Sequence, residues 1–434
     1  MPGTPPEEPR MSTEAIGVRI WGKNVGAVAL EPTLDAYVFE YEPTWRSRGI
    51  ELSPFLMPVT GTQTRFVFPS IAPSFQRLPG LLADALPDKF GNALIDAWMA
   101  KHGIAQESIT ALDRLAYMGK RGLGALEFRP SKGSTTESQK PLEMKTLVEG
   151  ARRILHGDFV GDSHAQAALA DVIRVGTSAG GARAKAVIAW NPRTDEIRSG
   201  QFDVPEGFEH WLLKFDGVGE DLELGTTADY GRIEYAYHLM ATSVGIAMAP
   251  CRLMCENGRA HFMTRRFDRK GNQKHHIQSL CALQHLDYNQ RATHAYEQYF
   301  LAIVQLKLGD GALQQAFRRM AFNVMARNCD DHTKNLGFWM PEGGAWELSP
   351  AYDVTHAHNV DGIWTAKHLM SVNGRFDDIA RADLKALADR FQVPHAKELL
   401  NEVRDGVAEW QKFAAEAGVP QDRIAVIEKD LRLL

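Results

Sequence analysis

Asn328-Cys329-Asp330-Asp331-His332-Thr333-Lys334-Asn335 is the stretch on which the reading of this chain turns. An apolar helical run, Gln314 to Ala326, precedes it, and a short strand-like run, Leu336 to Met340, follows. Asp330 and Asn335 stand in a D-x-x-x-x-N pattern. At that spacing two short oxygen-bearing side chains on one turn can face the same phosphoryl group, one to receive a hydroxyl proton and the other to hold a divalent cation. Taken alone, such an octet reads equally well as a solvated loop after a helix. Its meaning depends on what else the chain carries.

Downstream, Trp346-Glu347-Leu348-Ser349-Pro350-Ala351-Tyr352-Asp353 puts a second aspartate 23 residues after Asp330, with a strand-turn-strand between them. A kinase brings its second metal-binding aspartate in this way. Upstream, His210 to Phe215 is a strand with one lysine, Lys214, in an apolar frame. On an inner strand that lysine needs an anionic partner, a nucleotide phosphate or a helix glutamate; on an edge strand it would point to solvent. Glu234 lies twenty residues on, at the head of the helical run Ile233 to Val244, where a kinase places the ion-pair partner of its strand lysine. Before both comes Val175-Gly176-Thr177-Ser178-Ala179-Gly180-Gly181-Ala182-Arg183-Ala184-Lys185, which leads into a strand, Ala186 to Trp190. Small residues let backbone N–H groups close around phosphate oxygens, and Arg183 or Lys185 would supply charge; a plain hairpin loop is the alternative. Each signal is weak by itself. Five in kinase order, ahead of a helix-rich second half, are not.

The whole chain accommodates such a catalyst. Its 434 residues are 44% hydrophobic and 24% charged, enough for two or three units with cores of their own. A net charge of −5 and a pI near 6.3 argue against a protein that coats nucleic acid. Four scattered cysteines lack zinc-site spacing and read as free thiols in a reducing cytosol. No apolar run approaches the length of a membrane span, so a cytoplasmic location without membrane contact is expected. Residues 1–15, proline- and glutamate-rich at the start, read as a disordered tail. Strands are expected at 17–21, 24–30 (with Gly22-Lys23-Asn24 as a hairpin turn), 36–41 and 64–68. A helical stretch follows from Leu78 to Ala100, interrupted at Leu86-Pro87-Asp88 and at Gly91. Gly119 to Ala125 reads as a tight turn before a strand rather than as a phosphate loop, since it opens no helix. The units expected are 16–130, a linker at 131–141, 142–267, and a helical 268–434 in which His275 and His276 sit exposed in a polar loop. Within the last unit a single helix is expected over Ala396 to Ala415.

These residues also resemble the HipA-like serine/threonine kinases, toxin components of bacterial toxin–antitoxin pairs linked to persistence. The resemblance runs from about Ile16 to the last helices. It is carried most specifically by Ser178 to Lys185, His210 to Phe215, Arg266-Phe267-Asp268-Arg269, Asp330 to Asn335 and Leu348 to Asp353, with Leu86-Pro87-Asp88 and His368 to Gly374 in support. It implies an α+β, bilobal protein-kinase-like fold: a mixed β-rich N-terminal lobe with an added N-terminal subdomain, and an all-α C-terminal lobe. It further implies that Lys214, aided by Glu234 and by the loop of Ser178, Gly180, Gly181, Arg183 and Lys185, holds the ATP phosphates. Arg265 to Phe267 would line the adenine pocket, Asp330 would be the catalytic aspartate, and Asn335 and Asp353 would bind Mg²⁺. His332 and Lys334 would orient the loop or offset phosphate charge, or be simply structural. Ser178, with Thr177 as the alternative, would be the autophosphorylated residue whose added negative charge ejects the loop from the ATP site. The implied partners are a protein substrate, of which an aminoacyl-tRNA synthetase is the family example, and a helix-turn-helix antitoxin through which any DNA would be met. Two departures stand out: Arg265 where members often carry an acidic residue, and Asp331 where glycine is common. The D-x-x-x-x-N count selects Asp330, so Asp331 is expected to face solvent rather than to be a third metal ligand. The rival readings are a small-molecule phosphotransferase of kinase-like fold and a catalytically silent module that grips an antitoxin.

Overall fold

The computed structural model describes residues 13–132, 140–156, 163–176, 183–218, 220–221, 225–226 and 228–434. Within them the chain is a mixed α+β protein with three hydrophobic cores.

The first core lies on an antiparallel sheet of five strands in the order Arg65–Phe66, Ala36–Tyr41, Lys23–Glu31, Ala15–Ile20, Leu126–Arg129. Alternation in Ala15–Ile20 turns Ile16, Val18 and Ile20 inward. Ile20 pairs with Lys23, so the hairpin turn is Trp21-Gly22, one residue earlier than the Gly-Lys-Asn expectation. Both turn residues have positive φ, the geometry whose twist matches the flanking strands. The chain stays helical through Gly91, where a break was expected, and is interrupted ahead of Pro87. Gly80–Ala83 stops short of it, and Asp88 caps the next helix, Lys89–Lys101, by accepting from the Gly91 N–H at 2.6 Å.

The second core is built on an antiparallel sheet ordered Cys251–Glu256, Arg259–Arg265, Glu209–Lys214, Lys185–Trp190, Ile197–Ser199. Lys214 therefore ends the central strand, not an edge. Helices Met144–Leu155 and Ser163–Val175 pack into this core, and Tyr230–Ser243 lies against the strands Cys251–Glu256 and Arg259–Arg265. The approach is close at Gly231, where an added Cβ would fall 1.9 Å from the Ala260 carbonyl oxygen.

The third core gathers Tyr230–Ser243 with Tyr296–Gln305, Asp310–Met325, Arg381–Arg390 and the C-terminal helices. It is not purely helical. His276–Ser279, Gly337–Met340 and Glu347–Leu348 form an antiparallel sheet within it. His276 and His275 are accordingly buried rather than exposed, the first on a strand with its Nε2 near the Leu52 carbonyl at 3.2 Å. The single helix expected over 396–415 is two, Ala396–Ala408 and Trp410–Glu416, with Val407 and Trp410 buried on either side of the break. All four cysteines are free thiols, and no helix among the described residues is long and apolar enough to cross a membrane.

Candidate active site

A cleft of about 880 Å³ is lined by residues of all three cores. The second sheet contributes Lys185, Leu212, Lys214, Phe262 and Thr264; the loop after Asp310–Met325 contributes Asn328, Asp330, His332, Lys334 and Asn335; and Asp353 faces them. Thr177, Ser178, Gly180 and Gly181 lie outside the described residues.

Lys214 is the electrostatic centre. Its Nζ donates to Glu234 Oε1 and to Asp353 Oδ1, both at 2.5 Å, so one buried ammonium ties the strand, the helix and the segment that bears Asp353 together. Burial disfavours its charge, but Asp353 and Glu234 more than compensate and hold its pKa above the ordinary lysine value. Burial likewise works against Asp353, yet Lys214 and Lys185 keep its carboxyl well below the usual range, hence ionised. Asp353 has φ +56°, a left-handed backbone at a non-glycine residue of the kind found where structure around a site dictates conformation. Arg183 stacks over the Tyr230 ring at 3.9 Å, with a nitrogen 3.9 Å from Glu234. Lys185, directly opposite Lys214 across the strand pair, is engaged by Asp88 at 3.2 Å.

The octet divides its labour by facing. Asp330 opens into the cleft, with 47% of its side chain accessible, yet the surrounding walls desolvate it, and with help from Asp353 and Asp331 its pKa is raised. His332 Nε2 stands 3.8 Å from Asp330 Oδ1. Asn335 donates its amide N–H to the Asp330 carbonyl at 2.8 Å, which closes the turn between the two. Lys334 lies 5.1 Å from the Tyr288 ring centre; burial opposes its charge, but Asp84 and Tyr288 raise its pKa. Asp331 points the other way. It is buried, not solvent-facing, and accepts from His368 Nδ1 at 2.9 Å, Tyr296 Oη at 2.9 Å and the Leu369 N–H at 2.8 Å. Asn323 and Asn328 extend that network below the loop.

At the other end of the cleft Phe267 stacks on Tyr352, centroids 5.9 Å apart. Arg265 lines the wall while its half-exposed guanidinium approaches Glu209 at 3.5 Å. Arg266 and Asp268 form a buried pair that reaches back to the glycine-rich turn: Asp268 accepts from the Gly124 N–H, and Arg266 donates to the Gly122 carbonyl.

Residues 16–129 match the HipA N-terminal domain, and residues 177–411 match the HipA-like C-terminal domain. The chain belongs to the HipA family. Among solved structures, the HipA of Shewanella oneidensis MR-1, determined with HipB and its operator DNA, aligns over 95% of both chains at 18% identity with a TM-score of 0.64, a likeness of fold. The Helicobacter pylori proinflammatory kinase CtkA aligns over 51% of this chain and 90% of its own at 12% identity and a TM-score of 0.32. No curated protein matches the chain. In this HipA-family chain both matched segments line the cleft. Asp84 and Asp88 of the first were not among the candidates drawn from sequence, although Leu86-Pro87-Asp88 stood in a family-like stretch. Asp84 accepts from the N–H and the hydroxyl of Ser279 at 2.7 and 2.9 Å, joining that segment to the third core.

Proposed function

We propose that this chain is a HipA-type serine/threonine protein kinase, which transfers the γ-phosphoryl group of ATP to a protein hydroxyl and silences itself by autophosphorylation at Ser178. The observation that carries the reading is Lys214 held between Glu234 and Asp353 at 2.5 Å each, beside a loop that presents Asp330 and Asn335 to the same cleft. This is the set of groups that a bilobal kinase needs in place together.

On this reading Lys214 grips the nucleotide phosphates, with Arg183 adding charge behind it. Asp330, its proton affinity raised by its surroundings, orients the acceptor hydroxyl and takes its proton. Asn335 and the ionised Asp353 supply oxygen donors of the kind a hard divalent cation prefers. Among the described residues no group of three or more His, Cys, Asp or Glu side chains could hold a metal alone, so phosphate oxygens and water would complete the shell, the usual arrangement for Mg²⁺. When bound, Mg²⁺ neutralises charge on the transferring group. The rest is positioning: loop, strand and helix fix the reacting atoms before the step begins. The partner we assign is a helix-turn-helix antitoxin like the HipB found with the Shewanella protein; DNA is met only through it, in keeping with a net charge of −5.

The test is incubation of the purified chain with ATP and Mg²⁺, followed by intact-mass and peptide mass spectrometry. One phosphate on Ser178, absent from Asp330→Asn, is expected; phosphate on Thr177 would keep the kinase and move the acceptor. Undiminished transfer by Asp330→Asn would refute the assignment. Bound ATP without phosphorylation would favour a small-molecule phosphotransferase, and no ATP binding would leave an antitoxin-gripping module.

A further inference from the structure

One carboxylate of the N-terminal segment sits at the phosphate end of the cleft, where none was expected. Asp88 begins the helix Lys89–Lys101 and uses its two oxygens differently: Oδ1 accepts from the Gly91 N–H at 2.6 Å, and Oδ2 accepts from Lys185 Nζ at 3.2 Å. Both side chains are 3% exposed, so this is a desolvated ion pair that joins residues 97 positions apart. Its place in the sheet gives it meaning. Lys185 is the first residue of its strand and lies directly opposite Lys214 on the antiparallel neighbour. Directly opposed residues project from the same face, so two ammonium groups stand side by side, an arrangement that costs stability unless each has its own anion. Lys214 has Glu234 and Asp353; Lys185 has Asp88.

We infer that Asp88 is a positioning residue for nucleotide binding, holding Lys185 charged and aimed so that the cleft offers the phosphates a second buried ammonium beside Lys214. The inference rests on the nucleotide-binding reading above. Removal of Asp88's charge acts on a phosphate in two opposed ways. It takes away one negative charge that repels the ligand, and it takes away an anion that helps to keep a fully buried lysine protonated and in one rotamer. The second effect dominates: burial lowers the pKa of Lys185 and raises that of Asp88, and each is the largest force opposing the shift of the other, with Asp353 a further support for Lys185.

Asp88→Asn is the decisive variant. Asparagine caps a helix about as well as aspartate, so the start of Lys89–Lys101 is preserved while the charge goes. The experiment is calorimetric titration of the full chain with a non-hydrolysable ATP analogue and Mg²⁺, across wild type, Asp88→Asn, Lys185→Met and the double variant. Asp88→Asn should bind about tenfold more weakly, the scale of one charge-assisted hydrogen bond. Lys185→Met should lose at least as much, and Asp88→Asn should add nothing in the Lys185→Met background. In autophosphorylation the ATP concentration for half-maximal rate should rise with Asp88→Asn, while the saturated rate stays within about twofold. Equal or tighter binding by Asp88→Asn overturns the inference, as does full additivity in the double variant, which would mark Asp88 as structural only. A wild-type chain that does not bind the analogue overturns the nucleotide reading itself, and this inference with it.

Discussion

The sharpest consequence of the structure concerns Asp331, the residue next to the proposed catalytic aspartate. Asp331→Asn keeps the shape of the side chain and removes its charge. In the wild type the carboxylate is fully buried against His368, whose side chain is 2% exposed, and it also accepts from Tyr296 and the Leu369 N–H. Burial disfavours a charged His368, but Asp331, with Cys329, raises its pKa to about 10. At ~1.4 kcal/mol per pH unit, the span from 6.5 to about 10 corresponds to about 5 kcal/mol. The usual cost of breaking a buried pair, about 3–5 kcal/mol, agrees with that figure. A histidine whose pKa is higher folded than unfolded binds its proton more tightly when folded. Its contribution is therefore complete below about pH 6.5 and disappears as pH rises through about 10. Wild type should lose stability over that window, and Asp331→Asn should be several kcal/mol less stable at pH 7 and converge on wild type near pH 10. Because the chain has three cores, one global midpoint would blur the result. Urea unfolding from pH 6 to 10 should therefore be paired with hydrogen exchange at the Leu369 amide, which donates directly to Asp331. If both proteins share a midpoint at pH 7, or wild-type stability stays level across the window, the argument for a charged anchor beneath the loop is wrong.

Other expectations can be checked alongside it. Asp353→Ala should abolish the Mg²⁺-dependent part of nucleotide affinity, while Lys214 keeps its bond to Glu234; titrations with and without Mg²⁺ that match wild type would rule out Asp353 as a metal ligand. Gly231→Ala puts a methyl 1.9 Å from the Ala260 carbonyl oxygen and must push out the helix that bears Glu234. A loss of about 1–3 kcal/mol in denaturation and weaker nucleotide binding are expected, and unchanged affinity would mean that the Lys214–Glu234 pair tolerates the shift. Asp268→Asn removes the anion shared by Arg266 and Arg269. Burial opposes that carboxylate, but the two guanidiniums hold its pKa well below the normal range, so its contribution persists above the unfolded carboxylate pKa and fades only in acid. The variant should lose about 3–5 kcal/mol at neutral pH by urea denaturation, and a change under 1 kcal/mol would contradict this.

Much of the cleft was legible because its chemistry needs polar residues inside apolar frames. Lys214 stood out in an apolar strand, but whether that strand was inner or edge was open until the sheet order put it at the centre, where the lysine is kept by the anions the structure supplies. Pro87-Asp88 announced a helix boundary for reasons internal to the backbone. What stayed hidden depends on facing or on distance along the chain. Asp331 was misjudged because position counting says which aspartate reaches the cleft but not where its neighbour goes. Only the fold shows that Asp330 lines the cleft while Asp331 turns into the core, held by His368, Tyr296 and the Leu369 N–H. His276 was misread because a short strand paired to Gly337–Met340 carries no periodic signal of its own. Asp84 and Asp88 reach Ser279 and Lys185 across separations of 195 and 97 residues, which no local pattern encodes. The 396–415 segment looked like one helix because its propensities run unbroken; packing of Trp410 against the third core accompanies the break.

The cations of the cleft are matched to carboxylates before any ligand enters: Lys214 to Glu234 and Asp353, Lys185 to Asp88, Arg183 to Glu234. Such pairs contribute little net stability, since desolvation consumes most of the attraction, but unpaired members would be very costly. The arrangement therefore makes sense chiefly as storage of positive charge in a low-dielectric space, ready for an anion that can displace or outbid a carboxylate. On the kinase reading, Asp353 is the carboxylate that would hold the cation of a nucleotide, whereas Glu234 and Asp88 would keep their lysines. The three carboxylates should therefore respond differently to ligand. That division separates the acid that takes part in binding from the acids that maintain the site, and the contrast between Asp353→Ala and Asp88→Asn in the presence and absence of Mg²⁺ measures it directly.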